Sequence, residues 1–263
     1  MHAPRGQQAP HPASTGPTPP LALFDLDGTL IDRAEGLRHW AEEFARDRGL
    51  GPGAVEWLID ADADGLKPKD QLFAEVWEHF ALDESPDALH DEYQQRYPLF
   101  LRCPQHILDQ LAHLRASGWR VGVVTNGLTR TQTAALEHTG LTQYLDGWCI
   151  SEDAGVRKPD PRIFALAAER CGTDLTTGWL CGDSPEADVA GGQLAGLHTI
   201  WIRRGRTWPT TMPAPDRVAD DINQALQHLL SPALAVPATT SAADSSTYSP
   251  TARTTTQCHR ERS

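Results

Sequence analysis

Residues 21–30 read LALFDLDGTL, an apolar run closed by two aspartates one residue apart and then by Gly28 and Thr29. A buried strand of this kind carries the carboxylate of Asp25 to the rim of a sheet, where it can attack phosphorus and form a covalent intermediate. Residues i and i+2 of an extended chain share a face, so Asp25 and Asp27 are expected to converge on one site. Two like charges that close require a cation, a proton, or both. The competing explanation for the same letters is a strand followed by an ordinary Asp-Gly turn.

Three further segments carry polar groups just past predicted strands, where open α/β sheets bind ligands. VGVVTNG places Thr125, Asn126 and Gly127 together, a hydroxyl, an amide and a backbone N–H that can cradle phosphate oxygens, although Asn-Gly is also a favoured turn pair. GVRKPDPRIF sets Lys158 before Pro159 and a helix start near Pro161, so a cation can face the nucleophile; alone it reads as a surface lysine. WLCGDSPEADVAGGQLAG ends a strand at Gly182, Asp183 and Ser184 and opens a helix carrying Asp188. Asp183 offers a hard oxygen ligand of the kind magnesium takes, while helix capping and a first-turn acid are the plain alternatives for these residues.

The elements that must position these groups follow from periodicity. Short apolar runs at 21–27, 119–125, 178–182 and 197–202, with a shorter one near 148–151, predict buried strands. Helical patterns over 104–117, 129–139, 161–171 and 185–195 alternate with them, and Pro104, Pro161 and Pro185 suit first-turn positions. Such alternation predicts an α/β fold, a Rossmann-like, mostly parallel sheet with helices on both faces. Residues 33–102 break the rhythm. Trp40, Phe44, Val55, Leu58, Ile59, Leu72, Phe73, Val76, Trp77 and Phe80 recur at three- and four-residue steps, which predicts a helical insertion with these residues as its core.

Composition bounds the rest. The chain has 263 residues, 40% of them hydrophobic, enough for a sizeable core. A formal charge of −12 argues against non-specific nucleic-acid binding, since no basic excess is available to displace counterions. Five cysteines without CxxC spacing suggest neither a zinc site nor a disulfide framework. No apolar run approaches the roughly 20 residues that span a bilayer, so no membrane partner and a cytoplasmic location are expected. Residues 1–20 and 231–263 are rich in Pro, Ala, Ser and Thr and are expected to be a disordered leader and tail. A monomer is the default expectation, because no heptad or sheet-edge signature stands out.

In their order, strand-DxDGT, strand-TNG, KPDP and strand-GDSxxxD resemble the four motifs of the haloacid dehalogenase superfamily of phosphotransferases, over about residues 21–230. The resemblance implies a catalytic core at 21–32 and 103–230 and a helical cap at 33–102 that closes over the substrate. It implies Asp25 as nucleophile, Asp27 as acid/base, Thr125 and Asn126 on the phosphoryl group, and Lys158 as the cation. It implies Mg2+ held by Asp25, Asp183 and the backbone carbonyl of Asp27, with Asp188 in support. The activity implied is hydrolysis of a small phosphomonoester, of nucleotide, phosphoglycolate or sugar phosphate type, through a phospho-aspartate. Phosphomutase chemistry stays open. Dehalogenation is disfavoured by Asp27, since a halide needs no proton, and a non-catalytic binding module by the intact motifs. Glu35, His39, Lys67 and Lys69 are the cap side chains that could face the cleft, and ordinary solvated residues otherwise.

Overall fold

A computed structural model of the chain describes residues 18–231. Six strands form one sheet in the order β3-β2-β1-β4-β5-β6, all paired parallel: β1 Leu21–Phe24, β2 Arg120–Thr125, β3 Gly147–Ile150, β4 Trp179–Gly182, β5 His198–Ile202 and β6 Arg217–Ala219. The expected strands are present, with the short one shifted by a residue. A sixth, β6, carries no apolar run and was not expected. The leader and tail expected at 1–20 and 231–263 lie outside the described residues, except for 18–20 and Ser231. The described residues just before Leu21 pair with the sheet region: Pro20 O accepts from Arg120 N (2.8 Å) and Pro19 O from Thr173 Oγ1 (2.6 Å).

The sheet is buried on both faces, which explains its continuous apolar runs. Ala22 and Phe24 join one hydrophobic cluster while Leu21 and Leu23 join the other, the period of two expected of a strand. The first cluster takes in α5 (Gln105–Ala116), α6 (Thr129–His138) and α10 (Ile222–Leu230); the second is closed by α8 (Pro161–Arg170), which follows the one-turn α7 (Ser151–Ala154). Pro161 opens its helix as expected, whereas Pro104 stands one residue outside α5, at its N-cap.

Between β1 and α5 the chain runs through four helices, α1 Arg33–Asp47, α2 Ala54–Asp62, α3 Lys69–Phe80 and α4 Pro86–Arg96. Asp32 caps α1 by accepting from Glu35 N, and Ser85 caps α4 before Pro86. Trp40, Phe44, Leu58, Leu72, Phe73 and Val76 are buried together, with Trp40 edge-on to Tyr93. Trp77 departs from the expected core: it faces outward and is 44% exposed.

The order of the strands places the site. The chain leaves β1 to build β2 and β3 on one side, then returns to build β4, β5 and β6 on the other. The crevice at the carboxyl ends of β1 and β4 is therefore the topological switch point, the habitual ligand position in such sheets. Asp25 follows β1 and Asp183 follows β4.

Candidate active site

Strand pairing continues one residue past β1, where Asp25 N donates to Cys181 O (2.9 Å), and this holds the Asp25 carboxylate beside the end of β4. Lys158 Nζ donates to Asp25 Oδ1 (2.5 Å) and to Asp188 Oδ1 (2.7 Å). All three side chains are buried. The surface-lysine alternative for Lys158 therefore does not hold. Burial pushes the Asp25 carboxyl up, to about 8, against the lowering pull of Lys158 and with a further push from Asp188. For Lys158, burial would lower the pKa, but Asp188 and Asp25 outweigh it and keep the ammonium charged.

The loop carrying Lys158 is fixed by Asn126. Its Nδ2 donates to Lys158 O (3.1 Å) and its Oδ1 accepts from Lys158 N (2.9 Å). Asn126, expected to hold phosphate, thus has both ends of its amide engaged by the lysine backbone, and Gly127 N is engaged by Ser151 Oγ (3.0 Å). Thr125, buried at the end of β2, lines the cleft beside Asn126, and its hydroxyl oxygen accepts from Gln132 Nε2.

Past β4 the chain opens into a wide turn over Pro185–Ala190, in which Asp188 N and Val189 N both donate to Ser184 O, before α9 (Gly191–Leu194). The continuous helix expected over 185–195 is thus divided. Ser184 caps the turn through Ala187 N (3.1 Å), the plain alternative for that residue. Asp188 Oδ2 accepts from Ser184 N (2.9 Å), so this carboxylate points inward to Lys158.

Asp25, Asp183 and Asp188 bring one carboxylate oxygen each within 4.8 Å of one another. This all-oxygen, acid-rich donor set fits a hard divalent cation. Burial raises the Asp183 pKa, as does Asp188, against Arg206 and Arg204; such strain among carboxylates is what a bound cation relieves. The Asp27 carboxylate stands outside this group, and its expected contribution was a backbone carbonyl. Gly28 has φ +80°, and a Cβ there would lie 2.6 Å from Arg204 Nη1 and 2.9 Å from Asp183 Oδ2, so glycine lets the turn pass the acidic group.

Asp25 and Asp27 line one cleft but hold different partners. Asp27 Oδ2 accepts from Gln132 Nε2 (2.7 Å) on α6, which also reaches Thr125 Oγ1 (3.3 Å). The cleft encloses about 780 Å³ between these strand ends and the helical segment, whose contribution includes Arg33, Lys67, Lys69, Tyr93 and Tyr97. Lys67 Nζ donates to Glu75 and Lys69 Nζ to Asp62; Glu35 and His39 are exposed on α1 and do not line the cleft. The sequence reading missed Gln132, Arg33, Arg204 and Arg206. Arg206 Nη2 donates to Asp183 Oδ2 (3.0 Å) and Arg204 Nη1 lies 3.6 Å from it. No local pattern marks these four residues, because each meets the site only through the fold.

The all-parallel sheet, the switch-point crevice and the lysine-bridged aspartates define a class. Residues 22–202 match the haloacid dehalogenase-like hydrolase family, and the chain belongs to it. It is an enzyme, a hydrolase. It is 31% identical over 245 residues to the phosphoserine phosphatase of Thermus thermophilus, a match covering 78% of this chain and 96% of that protein. Among solved structures, a HAD phosphatase from Thermococcus onnurineus superposes with a TM-score of 0.58 at 27% identity, covering 80% of this chain and 97% of that one. A 2-haloacid dehalogenase from Pseudomonas syringae pv. Tomato superposes with a TM-score of 0.54 at 26% identity, covering 80% and 97%.

Proposed function

We propose that the chain is a magnesium-dependent phosphatase of small phosphomonoesters that works through a phospho-aspartate on Asp25. The observation that carries this reading is the separation of the two aspartates' partners, Lys158 for Asp25 and Gln132 for Asp27. Phosphate esters and carbon halides share a nucleophile but not a leaving group. An alkoxide needs a proton and a halide does not, so an acid held apart from Lys158 favours the ester.

Asp25 Oδ forms the bond to phosphorus as the ester P–O bond breaks, and Asp27 gives its proton to the departing oxygen. Asp27 then takes a proton from water, whose oxygen attacks phosphorus, releasing phosphate and restoring the Asp25 carboxylate. Thr125 orients a phosphoryl oxygen, and Asn126 positions Lys158, which neutralises charge at the nucleophile. Asp25, Asp183 and Asp188 would hold the cation, with Asp188 also steadying Lys158; when bound, it supplies charge compensation for the phosphoryl oxygens. The helices of residues 33–100 form the lid side of the cleft and exclude water.

The test is hydrolysis of an aryl phosphate by purified protein with magnesium, with chelator, and as Asp25→Asn, together with acid-quench trapping of phosphoprotein. Turnover lost on chelation and in Asp25→Asn is expected. Undiminished hydrolysis by Asp25→Asn sinks the assignment.

A further inference from the structure

On the helical side of the cleft one buried carboxylate holds two cations. Asp62, at the end of α2 and 0% exposed, accepts from Arg33 Nη2 (2.5 Å), Lys69 Nζ (2.5 Å) and Gly65 N (2.7 Å). Arg33 and Lys69 share this one buried carboxylate, so Asp62 alone matches neither cation fully. Asp64 Oδ1 comes only to 3.8 Å of Arg33 Nη1 and its side chain is 80% exposed, so it offsets little. Asp70 also lines the cleft. Asp27 is close enough to bear on both Arg33 and Lys69.

A second observation points to a ligand at the same place. Tyr97 is 3% exposed and lines the cleft, yet its hydroxyl has no hydrogen-bond partner among the described residues. A buried polar group left unmatched is destabilising, so a hydroxyl kept this way near the Arg33 guanidinium is suited to donate to an incoming acceptor.

We propose that Arg33, Lys69 and Tyr97, organised by Asp62, form a subsite for a second anionic oxygen group, a carboxylate or a phosphate, carried on the leaving group of the substrate. This rests on reading Asp25 as the phosphoryl centre. Asp27 meets the departing oxygen, and Arg33 and Lys69 lie within its electrostatic reach, so the rest of the leaving group extends toward them. A guanidinium with one nitrogen tied to Asp62 keeps further N–H donors in a planar fork that matches carboxylate and phosphate geometry. A cleft of about 780 Å³ accommodates a small metabolite of this kind. Asp62 is a positioning residue, since it acts through the two cations.

Calorimetric titration of the full chain in magnesium buffer with 3-phosphonopropionate and with propylphosphonate tests this. The two share a phosphonate, and a carboxylate in one is a methyl in the other. Roughly 10- to 100-fold tighter binding of 3-phosphonopropionate is expected, the worth of charge-assisted hydrogen bonds. Tyr97→Phe, which deletes only an unpartnered hydroxyl, and Arg33→Gln are expected to shrink that ratio; Tyr97→Phe keeps the test sound if Arg33→Gln unfolds. Propane-1,3-bisphosphonate binding tighter than 3-phosphonopropionate would assign the subsite to phosphate, the reverse order to carboxylate. Equal affinities in the wild type, or a ratio unchanged in both variants, overturn the subsite. Hydrolysis of 2-phosphoglycolate and of an aryl phosphate is scored separately: a binding preference with turnover of neither upholds the subsite and refutes the phosphatase reading.

Discussion

Lys158 Nζ donates to Asp25 Oδ1 over 2.5 Å, joining residues 133 apart in the chain. The same ammonium holds Asp188, so Lys158→Met leaves two buried carboxylates without their shared cation. Loss of such a group is predicted to lower kcat on an aryl phosphate by roughly 10²–10³-fold and to destabilise the fold by about 3 kcal/mol. Adding Asp188→Asn to Lys158→Met should restore part of the stability but not the rate. Steady-state kinetics and urea unfolding check both, and a kcat within tenfold of wild type contradicts the role.

Gln132 Nε2, at 2.7 Å from Asp27 Oδ2, is the side chain that fixes the proposed acid/base. Gln132→Leu removes this hydrogen bond while keeping a side chain of similar size at this buried position. A bond to a charged group is worth about 1.5–3 kcal/mol, so kcat is predicted to fall roughly 10- to 100-fold. Gln132→Glu, which sets a second carboxylate against Asp27, should be worse than Gln132→Leu. Equal kcat for wild type and Gln132→Leu contradicts the assignment.

The sheet could be read in the sequence because parallel strands buried on both faces are written as continuous apolar runs, such as Leu21–Phe24 and residues 121–124 of β2. β6 could not be. It is three residues long at the sheet edge, and Val218 is 46% exposed, so neither a run nor an alternation survives. Of the site, Asp25, Thr125 and Asp183 were legible as polar groups at or just past strand ends, Lys158 as the lysine before the Pro159–Pro161 loop, and Asp188 as an acid in the first turn of the following helix. Asn126 was legible as a site residue but not as the clamp on Lys158, because that bond spans 32 residues. Gln132 lies within α6 and Arg33 opens α1, positions where a polar residue looks like any solvated face.

Gly182 ends β4 where the Asp188 side chain crosses it, and a Cβ there would lie 2.3 Å from Asp188 Cγ and Oδ2. Gly182→Ala must therefore push Asp188 off Lys158 and Ser184 N. Overpacking of this kind costs about 1–3 kcal/mol, and the magnesium concentration for half-maximal activity is predicted to rise with it. Gly51→Ala is the control, since a Cβ there meets nothing within 4 Å, and its stability should change by about 0.5 kcal/mol or less. Metal titration of activity and urea unfolding separate the two variants; a Gly182→Ala enzyme with wild-type metal dependence contradicts the placement of Asp188.

Asp62 makes the stability of the helical segment depend on acid. Burial raises its pKa, but Arg33 and Lys69 more than offset this, so the folded-state value lies below the ordinary one. A depressed carboxyl stabilises fully above its unfolded value of about 3.9 and loses that contribution as pH falls through the lower folded value. Asp62→Asn removes the charge while keeping the shape. The wild type is predicted to exceed Asp62→Asn by about 3 kcal/mol near neutral pH, the cost of leaving buried cations unpaired. That gap should hold steady down to about pH 4 and close below it, as the wild-type carboxyl takes up its proton. Urea unfolding of both proteins across this range measures it. A gap that widens on acidification would place the Asp62 pKa on the wrong side of its ordinary value and break the ion-pair account of Arg33 and Lys69.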